Sequence, residues 1–212
     1  MKRFILLLVA AVIAIAPADA QVSRRDVRKA VRSAKKEAKA YKKEGFKLLE
    51  TGLMEAAIAD FNIKKKGGNI TEIVTQVNGK KSINMAKSQA RNNAINEYAE
   101  SAKSLIRGRV DSDMSDVGDV EMENFVAAYE RLVLKEMNGE LMTAFSLVRE
   151  NKSKKASTTY DVRLVSYVDL DAAHQAHMRA MEQAMRESDL AQKYGTKISS
   201  WIDEGFLKEL GK

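Results

Sequence analysis

The chain contains no cysteine and a single proline, Pro17, so beyond that residue nothing can cross-link the fold or remove a backbone donor from a helix. A chain with this composition holds together by side-chain packing alone, and 212 residues are enough to bury a core. Long helices suit it. The same absences exclude thiol catalysis, zinc-thiolate sites and the acylated cysteine of a bacterial lipoprotein.

Pro17 itself belongs to a segment with another purpose. Lys2 and Arg3 precede an apolar run from Phe4 to Ala16, and Ala18-Asp19-Ala20 before Gln21 fits the small-x-small cleavage pattern of a secretory signal peptide. The run of 13 residues is short of the roughly 20 needed to span a bilayer, so it reads as a removed address. No later stretch is long and apolar enough to span. The expected mature protein starts at Gln21, is periplasmic or secreted, and is not a lipoprotein. Cleavage leaves 34 basic and 28 acidic residues, a net +6, and the excess is local. Gln21 to Lys47 holds eleven basic and three acidic residues, whereas the remainder is slightly acidic.

Hydrophobic spacing assigns the elements. Val27, Val31, Ala34, Ala38 and Tyr41 step by four and three along one helix face, with Lys and Arg over most of the rest, and Gly45 is the expected stop. A short helix from Leu53 to Phe61 follows. These two helices form an arm whose Ala/Val stripe needs a surface to lie on. Lys64-Lys65-Lys66-Gly67-Gly68-Asn69 reads as a turn-rich break before the main domain. Ile70 to Val77 alternates as a strand, with Ile73 and Val77 on one side and Glu72 and Gln76 on the other, closed by Asn78-Gly79.

Ser82 is an N-cap candidate for the strongest helix, Ile83 to about Arg107, in which Ala86, Ala90, Ala94 and Ala102 recur at multiples of four. Gly108 and the run Asp111 to Asp116 are expected to end it. A helix from Val120 to Met137 presents Phe125, Val126, Tyr129, Leu132 and Val133, with Asn138-Gly139 as its stop. Strands Met142 to Arg149 and Thr158 to Val168 form a hairpin across Asn151 to Lys155, with Asp161 and Arg163 on the polar side of the second strand. Asp169 or Asp171 caps the helix Ala172 to Leu190, which carries Ala173, Ala176, Ala180 and Ala184. A last helix holds Ile198, Trp201, Ile202, Phe206 and Leu207. The order predicts an α+β fold: a small antiparallel sheet packed on one face by long alanine-rich helices and preceded by a basic helical arm.

The stretch Ala86-Lys87-Ser88-Gln89-Ala90-Arg91-Asn92-Asn93-Ala94 follows a strand and precedes two helices, a hairpin rich in Val and Tyr, and a closing helix. In this it resembles small bacterial envelope proteins of the LPP-twenty type, and it is similar in outline to the N-terminal domains of flagellar assembly protein T. The resemblance covers roughly Gly68 to Met185 and implies a compact envelope domain without catalysis. Lipoprotein members carry a cysteine after the signal peptide; here there is none.

Candidate chemistry is sparse. Asp171, His174 and His177 lie three apart on one predicted helix and are the only metal-ligand candidates, against a capping or solvated role for the same residues. Asp111, Asp113, Asp116 and Asp119 lack EF-hand spacing and read as an acidic loop. Met178, Met181 and Met185 read as core or subunit interface. No nucleophile elbow, phosphate loop or dinucleotide fingerprint is present. The basic residues Arg24, Arg25, Arg28, Lys29, Arg32, Lys35, Lys36 and Lys39 are the interaction candidates. The expectation is a signal peptide at 1–20, a basic helical arm at 21–66 and an α+β domain at 67–212, acting as a non-enzymatic structural or interaction module of the envelope. Expected partners are an envelope protein or an anionic surface, either polysaccharide or lipid head groups, and a homo-oligomer is compatible. No nucleic acid and no cofactor are expected. The rival expectation is a periplasmic ligand- or metal-binding protein.

Overall fold

The computed structural model describes residues 22–113, 118–152, 157–188, 194–197 and 200–201. The expected signal peptide at 1–20 lies outside these residues, as do Ile198, Ile202, Phe206 and Leu207 of the expected last helix. In chain order the elements are α1 Arg24–Lys43, β1 Lys47–Leu48, α2 Met54–Lys66, β2 Ile70–Lys80, α3 Ile83–Asp113, α4 Asp119–Glu140, β3 Met142–Asn151, β4 Thr159–Asp169 and α5 Leu170–Glu187. The fold is α+β, with one four-stranded antiparallel sheet in the order β1-β3-β4-β2. No helix among the described residues is long and apolar enough to cross a membrane.

The chain divides into two compact units. The first contains residues up to Arg91 together with Thr143–Ser166, and the second contains Asn92–Met142 and Tyr167 onward. This division does not follow the boundary expected at residue 66, because the basic helices share a unit with the sheet.

In the first unit the sheet is covered on both faces. Alternation along β3 turns Val148 toward a cluster with Ala86 and Ala90 of α3, Val77 of β2 and Val162 and Leu164 of β4. The neighbouring residues of β3 point the other way. There the Phe145 ring meets Phe61 of α2 edge-on at 6.2 Å, and the Arg149 guanidinium lies 4.9 Å from the Phe46 ring centre. The alanine-rich helix thus occupies one face, as its spacing predicted, while α1 and α2 supply a second helical layer. Asp161 and Arg163 consequently face that layer and not water; Asp161 is buried.

The helical layer is an antiparallel pair, since Lys66 reaches Asp26 at 3.8 Å at one end and Lys42 pairs with Glu55 at the other. Ser23 caps α1 by accepting from the Asp26 N–H at 3.1 Å. Its far end closes at Gly45, with the Phe46 N–H donating to Tyr41 O and the Gly45 N–H to Lys42 O. Gly45 has φ +87°, a left-handed backbone conformation that favours glycine.

Several expected breaks are absent. α3 runs through Gly108 to Asp113, and α4 through Asn138-Gly139 to Glu140. A helical glycine costs only about 1 kcal/mol. Ile106 and Val110 beside Gly108, and Met137 and Leu141 beside Gly139, are all buried and hold the helix across it. α2 likewise continues through Lys64, Lys65 and Lys66, whose charges suit a helix C-terminus, and stops at Gly67. β2 continues past Asn78-Gly79, where the Gly79 N–H donates to Asp161 Oδ1 at 2.8 Å. The two-residue β1 pairs Lys47 with Val148 and Leu48 with Leu147.

In the second unit, α4 and α5 pack through Phe125, Val126, Tyr129, Leu132 and Val133 on one side and Ala173, Ala176, Ala180 and Ala184 on the other. Asp169 is the cap of α5, accepting from the N–H groups of Asp171 and Ala172. Trp201 is helical and buried.

Candidate functional site

Of the features singled out by sequence, the basic helix gathers the most chemistry. At about 100° per residue, the ten cations from Arg24 to Lys43 fall within one arc of about 140° around α1. Val27, Ala30, Val31, Ala34 and Ala38, all buried, occupy the opposing arc. The two acidic residues of the helix lie at the seam between these arcs. Asp26 meets Lys66 of α2, and Glu37 Oε1 accepts from Asn62 of α2 at 3.1 Å and from Ser33 at 2.7 Å. α1 therefore turns both its carboxylates toward the seam with α2 and most of its cations outward.

Arg24, Arg25, Arg28, Lys29, Arg32, Lys35, Lys36 and Lys39 are all exposed. Among the described residues, Arg24, Arg28, Arg32, Lys36 and Lys39 form no ion pair. Arg25 and Lys29 act on Asp26, whose carboxyl is held below its ordinary range first by the Ser23 hydroxyl and then by Lys66, Lys29 and Arg25. Glu55 is lowered by its bond to Lys42, with a smaller contribution from Lys35. The field of this face is thus strong enough to be felt by the carboxylates beside it, while most of its charges have no partner within the described residues.

The histidine group behaves differently. The structure does not bring Asp171, His174 and His177 together, and no group of three possible metal ligands exists among the described residues. Asp171 is exposed on the first turn of α5, and His174 is half-buried. His177 is fully buried, with Nε2 2.9 Å from the Tyr98 hydroxyl and Nδ1 2.6 Å from the Tyr129 hydroxyl. One hydroxyl donates to the bare ring nitrogen and the other accepts from the ring N–H, so a neutral imidazole is completely satisfied and no lone pair is left for a metal. Burial, aided by His174, pushes His177 down to about 3, and burial raises both tyrosines. Sequence reading misses this triad, although Tyr129 lies on the apolar face expected of its helix, where a hydroxyl needs a partner.

A third polar group lies under the C-terminal end of α1. Arg149 donates to Asp161 Oδ2 from Nε at 3.0 Å and Nη2 at 2.7 Å, and to the Glu44 carbonyl at 3.3 Å. Arg163 donates to Gln76 at 2.8 Å and stacks over Tyr41 and Phe46. These groups satisfy one another, so the cluster ties the sheet to the helical layer. Burial works against ionisation of Asp161, but its hydrogen bonds and the nearby guanidinium hold the carboxyl below its ordinary range. A cleft of about 260 Å³ beside β1 is lined by Gly45, Lys47, Ile83, Val148, Glu150 and Tyr160. It offers no buried polar group to orient a ligand. Asp111 and Asp113 are on the last turn of α3, whereas Asp116 and the Asp119 side chain lie outside the described residues. Met181 and Met185 are buried, which is core packing.

No protein-family model, curated protein or solved structure matches the chain.

Proposed function

We propose that this is a non-enzymatic, exported envelope protein of the LPP-twenty type whose contact surface is the outward face of α1. The reading rests on one observation: a helix anchored by its apolar side and by inward-turned carboxylates presents ten cations on a single arc. Solubility alone does not require such segregation, because mixed signs serve it better. A surface of this kind attracts an anionic partner over a Debye length of about 10 Å at 0.1 M salt. The signal-peptide pattern before Gln21 supports a partner outside the cytoplasm, where polysaccharide, lipid head groups and envelope proteins supply negative charge.

The test is sedimentation of the purified chain with isolated envelope fractions, alone and as Arg24→Glu/Arg28→Glu/Arg32→Glu. Export predicts an intact mass beginning at Gln21. Co-sedimentation that salt reverses and the triple charge reversal abolishes is the expected result. Co-sedimentation equal for both forms would remove α1 from the contact.

A further inference from the structure

Resting on that reading of α1, we infer that the occupant of its basic face is a linear acidic polysaccharide, held by charge along the helix axis. Three observations carry this.

The first is what the face lacks. The large apolar side chains exposed among the described residues are Leu53, Val74, Met85, Val120 and Met142, and none is on α1. A protein interface needs an apolar or aromatic centre, and a helix that lies in a bilayer needs an apolar side to insert. On α1 the apolar side is already used: Val27, Ala30, Val31, Ala34 and Ala38 are at most 5% exposed.

The second is the shape of the charge. Arg24, Arg28 and Arg32 succeed one another every four residues, a rise of about 6 Å per step, and Lys35, Lys36 and Lys39 continue the row. The twenty-residue helix makes a track about 30 Å long. A row on a convex surface fits a flexible chain that follows it better than it fits a plane.

The third is the order of residue types. Four of the five cations in the first half of α1 are arginines, and all five in the second half are lysines. Arginine forks hold individual carboxylates in defined geometry, whereas lysines act as point charges. The arginine half would grip uronate groups and the lysine half would retain the chain running past it. With no exposed aromatic on α1 to stack on a sugar ring, recognition would read charge density and not sugar identity.

The experiment uses the full mature chain, with polygalacturonate as the polymer probe and vesicles of phosphatidylglycerol in phosphatidylcholine as the lipid probe. Two variants carry the same change in net charge: Arg24→Glu/Arg28→Glu/Arg32→Glu, and a control, Lys81→Glu/Lys135→Glu/Arg186→Glu, at exposed positions that do not belong to α1. Circular dichroism melts confirm that both fold. The expected result is polygalacturonate binding that weakens roughly tenfold or more between about 50 and 200 mM salt. The α1 variant should lose at least about tenfold affinity and the control far less. Equal loss in both variants would mean that net charge, not the track, is bound, and would overturn the inference. Vesicle binding that depends on α1, without polymer binding, would overturn it while leaving the proposed contact surface standing. Binding to neither probe, together with no envelope co-sedimentation, would remove both.

Discussion

Acidification should destabilise the second unit through His177, with a slope that follows from its burial. The imidazole is fully buried between two tyrosine hydroxyls and has its pKa pushed from 6.5 to about 3. Because the folded value is lowered, the native state binds fewer protons than the unfolded chain between these limits. Stability is therefore fully present above about pH 6.5 and falls as pH falls, by about 1.4 kcal/mol per unit. From pH 7 to pH 5 the loss is about 2 kcal/mol for any folded value below about 4. Carboxylates, which titrate near pH 4 in unfolded chains, add to the slope mainly at lower pH. Trp201 is the chain's only tryptophan, is 2% exposed and belongs to the same unit, so its fluorescence reports urea unfolding there. His177→Phe keeps the bulk but strands two hydroxyls, costing about 2 kcal/mol at neutral pH, and its curve should be flatter by that one proton. A Trp201 transition with the same stability at pH 7 and pH 5, or a His177→Phe variant with the wild-type slope, would refute the reasoning.

Ala90 is fully buried on the sheet side of α3, and its carbonyl accepts from the Thr75 hydroxyl at 2.8 Å, so Ala90→Leu should cost about 1–3 kcal/mol in a thermal melt. Asp161→Ala removes the carboxylate that accepts from Arg149 through one oxygen and from the Gly79 N–H through the other; chemical denaturation should show a loss of about 1–3 kcal/mol, and Asp161→Asn should recover only part of it, because one of the two acceptors becomes an NH2 group facing a donor. Deleting residues 24–43 uncovers the helix-layer face of the sheet, and the truncated chain should lose hydrogen-exchange protection throughout β3 and β4. Retained protection there would show that α1 is an appendage.

Local signals were readable wherever one short-range rule decided the outcome. The alanine ladder of α3, the Gly45 stop, the hairpin of β3 and β4 and the Asp169 cap each follow from spacing or from one side chain's hydrogen bonding. What escaped was decided by tertiary contacts. Gly108 and Gly139 look like stops until Ile106, Val110, Met137 and Leu141 are known to be buried beside them. Asp161 and Arg163 look solvated until a helical layer is placed over them. The strand Lys47–Leu48 has no pattern of its own and exists only because Leu147 and Val148 are there to pair with it. For the candidate site, the charge of α1 was legible in full. The inward turn of Asp26 and Glu37 was not, because their partners come from α2.

The first unit is discontinuous along the chain, and this governs when it can form during synthesis. β4 stands between β2 and β3 in the sheet, and β1 pairs only with β3. A growing chain that has emerged through Arg91 possesses α1, α2, β1 and β2 but neither central strand, so its two edge strands have nothing to pair with. The entire stretch Asn92–Met142 must appear, and the loop it forms must close, before the hairpin can insert and unite them. The basic helix accordingly completes its own docking surface late, after most of the chain has been made.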